Sequence, residues 1–360
     1  MTTSNFQTQN PVISKMSQYN HEQLLFCNDK ETGLKAIIAV HNTVLGPALG
    51  GTRMWNYKNE MEALNDVLRL SRGMTYKNSL AGLNLGGGKA VIIGDSKTMK
   101  SEAYFRRFGK FVNSLGGKYI TAEDVGINPR DMTWVNMETN HVVGLPGKSG
   151  DPSPITALGV YMGMKACAKK QFGSDSLEGK KIAVQGIGHV GKYLVEHLSK
   201  ENAEIYITDI DEDNLKRVSS AYRSQVVSPD EIYDIEMDIY APCALGATVN
   251  DDTLSRLKCS VIAGSANNQL ADEVKHGEII RKKGIIYAPD FVINAGGVIN
   301  VYAEVKDLAP DWAYNKAEQI YDTVFNIISR SNKEGIPAYA IANKIAEERI
   351  ASVGKVKLPL

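Results

Sequence analysis

The stretch that most restricts what this chain can fold into is Lys181-Ile-Ala-Val-Gln-Gly186-Ile-Gly188-His-Val-Gly191-Lys-Tyr-Leu-Val-Glu-His-Leu198. A short apolar run enters G-x-G-x-x-G, an amphipathic helical pattern leaves it, and Glu204-Ile-Tyr-Ile-Thr208-Asp209 reads as the next strand. The hexapeptide alone is a common glycine turn. In this context, with a carboxylate about twenty residues further on, it specifies a βαβ unit that binds a dinucleotide. Gly186, Gly188 and Gly191 would let the pyrophosphate reach the helix N-terminus, where free amides and the helix dipole favour anions. Asp209 would accept hydrogen bonds from the adenosine ribose hydroxyls.

The residues beyond this unit continue the alternation. Strand-like segments over 238–243, 260–264 and 284–288 are separated by helical ones such as 272–282, which implies a doubly wound parallel sheet. The loops leaving those strands carry Ala241, Cys243, Asn267 and Asn268, at the carboxyl ends where a cofactor lies. Asparagines in loops are also ordinary turn formers, so that reading stays open for both. With 360 residues the chain is too long for one ordinary core. The segment 144–154 is dense in Gly and Pro and marks a hinge. The fold class is therefore α/β in two domains. We place an N-terminal α/β substrate-binding domain over 1–145 and a Rossmann-like domain over 146–324, with a cleft between them.

In the N-terminal half, residues 1 to about 12 read as a loose arm and 34–40 as the first clear strand. Residues 59–72 place apolar side chains near a 3.6 period and end at Gly73, which predicts an amphipathic helix that delivers Met74 and Lys77 to the neighbouring glycine-rich segment. That segment is Gly86-Gly87-Gly88-Lys89-Ala-Val-Ile-Ile93, three glycines and a lysine before a buried strand. The glycines could form a pocket floor from which Lys89 reaches a small molecule, or simply a flexible turn. A phosphate loop of the Walker type is excluded, because Ala90 stands where Ser or Thr is required. Gly50 and Gly51, flanked by Leu49 and Thr-Arg-Met-Trp55, offer another close backbone approach or a tight turn. Residues 101–115 predict a second helix, and Thr121-Ala122-Glu123-Asp124-Val-Gly126 a strand end carrying two adjacent acids.

These segments resemble the glutamate/leucine/phenylalanine/valine dehydrogenase family over nearly the whole chain. The resemblance implies that Lys89 is the catalytic base, that Lys77 binds the substrate carboxylate, and that Asp124 assists proton transfer at the substrate nitrogen. Glu123 receives no role. It further implies NAD as cofactor, with Thr156 and Asn294 at the nicotinamide end, and C-terminal helices over 325–360 packing back on the N-terminal domain. The reaction implied is oxidative deamination of a branched-chain L-amino acid, leucine ahead of isoleucine and valine, to the 2-oxo acid and ammonia. Phenylalanine or valine dehydrogenase is the alternative reading, and a non-catalytic NAD-binding regulator a weaker one, since Lys77, Lys89 and Asp124 are all present. In glutamate dehydrogenases a lysine precedes the Gly-Gly pair and a serine lies three after the Gly-Gly-Val valine; here Leu49 and Val301 stand there. Leu49, Gly50, Gly51, Met74, Ala122, Val298 and Val301 would line the substrate site. Asp95 is followed by Ser96 where many relatives have proline, a turn-level departure.

Equal numbers of basic and acidic residues, 41 each, provide no field for nucleic acid or an anionic membrane. Four cysteines without paired spacing and six histidines without a metal-like partner predict neither disulfides nor a metal site. No apolar run reaches membrane-span length. A cytoplasmic enzyme acting on a small amino acid is the expectation, and the family resemblance adds a homo-oligomer, an octamer.

Overall fold

The computed structural model describes residues 11–148 and 150–356. The expected loose arm lies, up to residue 10, outside the described residues. The strands are β1 (Gln23–Asp29), β2 (Leu34–Asn42), β3 (Ala48–Leu49), β4 (Thr52–Trp55), β5 (Gly86–Ile93), β6 (Tyr119–Ile120), β7 (Lys181–Gln185), β8 (Glu204–Thr208), β9 (Gln225–Val226), β10 (Ile239–Pro242), β11 (Val261–Ile262) and β12 (Ile286–Tyr287). The helices are α1 (Pro11–Tyr19), α2 (Glu60–Leu80), α3 (Glu102–Ser114), α4 (Pro129–Asn136), α5 (Ser153–Phe172), α6 (His189–Lys200), α7 (Glu212–Tyr222), α8 (Asp251–Arg256), α9 (Glu273–Lys282), α10 (Asp290–Ile293), α11 (Gly296–Val305), α12 (Pro310–Glu318), α13 (Ile320–Glu334) and α14 (Ala338–Val353).

Two units result. One comprises the described residues up to Gly150 and from Glu348 on; the other is Asp151–Glu347. The expected return of 325–360 to the first unit is therefore corrected, because α13 and α14 up to Glu347 belong to the second. Packing explains it. A Cβ on Gly159 of α5 would stand 2.6 Å from Ile320 Cδ1, and one on Gly163 3.4 Å from Val324 Cγ2, so small residues on α5 receive the buried stripe of α13. Only beyond Glu347 does the chain join the first unit, where Arg349 Nη1 donates to Ser79 O at 2.8 Å.

The first unit is a sheet ordered β1-β2-β5-β3-β6, with β4 also pairing β5. Alternation along β5 assigns its two faces. Ala90 and Ile92 pack with Tyr104, Phe105 and Phe108 of α3, whereas Val91 packs with Ala63, Leu64, Val67 and Leu68 of α2. Lys89, two residues before Val91, thus emerges on the α2 face. The helix expected to stop at Gly73 runs on to Leu80. Asn59 caps its first turn, and Thr75, Tyr76, Asn78, Ser79 and Leu80 are buried, which outweighs the roughly 1 kcal/mol that glycine costs inside a helix. Strand β1 and helix α4 have no counterpart in the sequence-based expectations. The burial of β1 alternates poorly, and α4 is short, started by an Asn128/Asp131 capping box.

Behind α2 lies a buried pair of histidines. His41 Nδ1 is 2.7 Å from Thr75 Oγ1, His21 Nε2 is 2.8 Å from Ser71 Oγ, and the two rings meet edge to face at 4.7 Å. Burial holds His41 down to about 4 and, with His41 beside it, His21 to about 3. Both remain neutral in the folded chain. Unfolded histidine titrates near pH 6.5, so below that the unfolded chain takes up protons that the folded one refuses, and stability present above about pH 6.5 is lost as pH falls. Urea titrations at pH 7 and pH 5 should show a loss on the order of 2 kcal/mol attributable to His41, and His41→Asn should flatten that slope. An unchanged slope in the variant would contradict the assignment.

The second unit is a six-stranded sheet ordered β12-β11-β10-β7-β8-β9. Every pair is parallel. The strand order reverses between β7 and β10, which sets the crevice where open α/β sheets bind ligands.

Candidate active site

In the first unit the interruption between β3 and β4 creates the candidate site. Leu49 pairs with Gly87 and Thr52 with Ala90, so Gly50 and Gly51 lie opposite Gly88 and Lys89 and break the ladder there. Both glycines are required by close approach. A Cβ on Gly50 would stand 1.8 Å from Gly88 O, and one on Gly51 2.4 Å from Glu123 O. Tyr119 Oη, from beneath, donates to Gly50 O at 2.6 Å and fixes this loop.

The glycine triplet is not an open pocket floor. It is the start of β5, and the space beside it is filled: a Cβ on Gly86 would meet Asn42 O at 1.9 Å, on Gly87 Thr75 N at 2.1 Å, and on Gly88 the Tyr119 ring at 2.7 Å. The glycines let α2 and Tyr119 close on the strand. Asn78 Nδ2 donates to Gly86 O at 2.6 Å, pinning the last turn of α2 against the strand. Lys77, half-buried, rides on that turn, and Met74, also half-buried, lies one turn earlier. The structure thus brings the backbone of Lys77 to the strand that carries Lys89.

Lys89 is 7% exposed, and its Nζ lies 2.5 Å from Asp124 Oδ2. Burial pushes its pKa below the ordinary lysine value, against the pull of Asp124. Burial works the other way on Asp124, but Lys89 and then Arg53 outweigh it and hold the carboxyl below the usual range. Such a pair can pass a proton to and from a small ligand. Glu123 faces solvent, and its backbone bridges Thr52. Ala122 is half-buried, and its carbonyl accepts from Thr52 N at 2.7 Å. Leu49 is 3% exposed and belongs to neither apolar cluster flanking the sheet. Sequence reasoning assigned no role to Arg53, Tyr57 or Asp66, which adjoin the pair. The signal available was an arginine two residues past the Gly-Gly pair, on a strand.

The second unit carries the glycine loop and the candidate cofactor residues. Gly186 has φ +95°, and a Cβ there would strike Ala244; Cys243 N donates to Gln185 O at 2.7 Å, so the glycine loop and the loop after β10 are one structure. A Cβ on Gly191 would stand 2.1 Å from Gly186 O. Gly188 differs. A Cβ there meets nothing within 4 Å, and as N-cap of α6 it gives no side-chain hydrogen bond. The first amides of α6 remain available to an anion, as a pyrophosphate requires.

Asp209 Oδ2 accepts from Ile187 N at 2.7 Å, tying the acid to the glycine loop. Asn214 Nδ2 donates to Ile187 O at 2.7 Å, and Arg217 donates to Asn214, so an arginine one turn into α7 lies near this loop, a neighbour that the linear sequence does not announce. Ala241 is fully buried in β10. Cys243 Sγ accepts from Ser265 N at 3.5 Å, and burial raises its thiol pKa. Asn294 is buried; its Nδ2 donates to Ser265 O at 3.0 Å and to Asn267 Oδ1 at 2.7 Å, while Oδ1 has no hydrogen-bond partner among the described residues. Asn268, with φ +52°, occupies a turn and gives its carbonyl to Ala247 N. Its backbone matches the turn-former reading. Thr156 Oγ1 donates to Pro152 O at 2.9 Å. A Cβ on Gly296 would sit 2.4 Å from Thr156 Cα, so the start of α11 rests on the start of α5. Val298 is buried and Val301 half-buried on α11. No metal-binding cluster of His, Cys, Asp or Glu occurs among the described residues.

A parallel sheet built to receive a dinucleotide, in one chain with a separate unit that buries a lysine–carboxylate pair, is the architecture of an α/β amino-acid dehydrogenase. Comparison with known proteins makes the class specific. Residues 21–141 match the family model "Glu/Leu/Phe/Val dehydrogenase, dimerisation domain", and 147–357 match "Glutamate/Leucine/Phenylalanine/Valine dehydrogenase". The chain is 55% identical to leucine dehydrogenase of Thermoactinomyces intermedius over 349 residues, 96% of this chain and 95% of that one. It is 56% identical to leucine dehydrogenase of Bacillus subtilis over 338 residues, 93% of each. The crystal structure of L-tryptophan dehydrogenase from Nostoc punctiforme superposes with a TM-score of 0.88 at 44% identity, covering 96% of this chain and all of that one. The chain belongs to the glutamate/leucine/phenylalanine/valine dehydrogenase family.

Proposed function

We propose that this chain carries out the reversible, NAD-dependent oxidative deamination of a branched-chain L-amino acid, leucine foremost, with release of the 2-oxo acid and ammonia. The observation that carries the proposal is the pairing of buried Lys89 with half-buried Asp124 at the Gly50–Gly51 strand break. The leucine dehydrogenases at 55–56% identity support leucine as substrate, against 46% for the tryptophan and phenylalanine dehydrogenases.

A bound NAD would supply the hydride acceptor for the substrate Cα–H. Lys77, on the last turn of α2, pairs with the substrate carboxylate and orients Cα. Lys89, neutral and buried, removes the proton from the water that attacks the iminium carbon; a general base with a lowered pKa suits this step near neutral pH. Asp124, beside Lys89 Nζ, accepts and returns protons at the substrate nitrogen, so that ammonia leaves. In the second unit Gly186, Gly188 and Gly191 would hold the pyrophosphate and Asp209 the ribose; Thr156 and Asn294 would lie at the nicotinamide end, and Ala241, Cys243, Asn267 and Asn268 beside the cofactor. The unpartnered Asn294 Oδ1 fits an amide donor.

Asp209 would repel a 2′-phosphate, and Asp211, Glu212 and Asp213 add negative charge. We therefore predict a kcat/KM for NAD on the order of a hundredfold above that for NADP, narrowed by Asp209→Ala. Equal values for the two cofactors in the native enzyme would contradict the role given to Asp209. The broader test is a panel of initial rates on leucine, isoleucine, valine, phenylalanine and glutamate.

We also propose a cytoplasmic homo-oligomer, an octamer. The dimerisation-domain description of the first family match supports assembly. Four cysteines that are all free thiols fit a reducing compartment. Among the described residues no helix is long and apolar enough to cross a membrane.

A further inference from the structure

Two cations converge on one oxygen of Asp124. Lys89 Nζ approaches Oδ2 to 2.5 Å and Arg53 Nε to 3.5 Å. Arg53 sits on β4 in register with Val91 of β5, so its side chain shares the α2 face with Lys89. The helix holds it there. Arg53 Nη1 pairs with Asp66 Oδ2 at 3.0 Å, Tyr57 Oη donates to the same oxygen at 2.7 Å, and Arg69 Nη2 donates to Asp66 Oδ1 at 3.0 Å. Tyr57 is buried, and the side chains of Asp66, Arg53 and Asp124 are 15%, 23% and 24% exposed, so the chain of charges is only partly screened by solvent.

We infer that Arg53, clamped by Asp66 and Tyr57, is a positioning residue that shares Asp124 Oδ2 with Lys89, fixing where the carboxylate sits and weakening its hold on the lysine ammonium. This rests on the proposed role of Lys89 as base. A lone carboxylate at that distance would stabilise the ammonium and disable the base. A guanidinium, which keeps its charge at any working pH, offsets that attraction and repels the ammonium. The charged groups facing Lys89 act in opposite directions: beyond burial, Arg53 from β4 lowers its pKa, whereas Asp124 from the segment after β6 and Asp66 from α2 raise it. Helix α2 also carries Arg69 against Asp66 and Lys77 in its last turn.

The opposite signs of Arg53 and Asp66 provide the test. The pH dependence of kcat with leucine and NAD is measured for the native enzyme, Arg53→Met, Arg53→Lys, Asp66→Asn and Lys89→Ala. The acid limb should move up by about one pH unit in Arg53→Met, with the alkaline plateau largely recovered; it should stay near its native place in Arg53→Lys and move down in Asp66→Asn. A merely structural Arg53 would lower the plateau and leave the limb where it was, which overturns the inference. If Arg53→Met does not fold, Arg53→Gln takes its place: a limb moved to higher pH supports the inference, and an unmoved limb rejects it. Lys89→Ala separates the base from its positioning residue. Loss of less than tenfold in that variant removes the base itself, whereas an inactive Lys89→Ala with unmoved limbs elsewhere removes only the role given to Arg53.

Discussion

Lys89→Ala is expected to lower kcat by roughly a hundredfold to ten-thousandfold, the range that a positioned general base contributes, while the affinity for NAD stays within about twofold. The two effects separate because Lys89 belongs to β5 of the first unit and the dinucleotide loop to β7 and α6 of the second. The substitution also leaves Asp124 with Arg53 as its cation, so the fold should survive. Lys77→Ala should differ in kind. It loses a charge-assisted contact to the substrate carboxylate and should raise KM strongly as well as lower kcat. A Lys89→Ala variant within tenfold of the native kcat, or a Lys77→Ala variant with unchanged KM, would reassign the residue concerned.

The second large effect concerns the substrate side chain. Glutamate should be rejected relative to leucine by about a thousandfold or more in kcat/KM, since a carboxylate desolvated against apolar groups without a partner costs several kcal/mol. Leu49 is buried at the end of β3, immediately before the Gly50–Gly51 break opposite Lys89, and Val301 is half-buried on α11. Leu49→Lys should therefore narrow the leucine preference and admit some glutamate. A substrate ranking that does not move at all in this variant would mean that Leu49 is an ordinary core residue. Discrimination among leucine, isoleucine, valine and phenylalanine should be smaller, a few kcal/mol, because it rests on pocket volume alone.

The parts legible in the sequence are those whose chemistry is local. The βαβ unit over 181–209 can be read because a strand, three glycines at fixed offsets, a helix and a terminal carboxylate lie within one contiguous stretch, and β7, α6 and β8 occupy it. Lys89 and Asp124 are reachable only through family resemblance, since they lie 35 positions apart and nothing in either segment specifies that Nζ and Oδ2 approach to 2.5 Å. Arg53, Tyr57 and Asp66 escape for the same reason. An arginine on a strand and an aspartate on the polar side of a helix look like solvated surface until β4 and α2 are laid on the same face of β5. The glycine triplet misleads in the opposite direction. A glycine run says that something comes close, but only the packing shows that the neighbour is Thr75 and Tyr119 rather than a ligand. The C-terminal helices fall to the second unit because the small residues that receive α13 lie on α5, a relation between distant segments that no single stretch displays.

The most direct measurement is the stoichiometry of products when the purified chain is given L-leucine and NAD. NADH is followed by absorbance, and ammonia is counted in the same sample. One ammonia is expected for each NADH, with neither product formed without the amino acid and neither above a trace when glutamate replaces leucine. NADH formed without ammonia, or no NADH from leucine, isoleucine, valine or phenylalanine, would contradict an oxidative deamination by this chain.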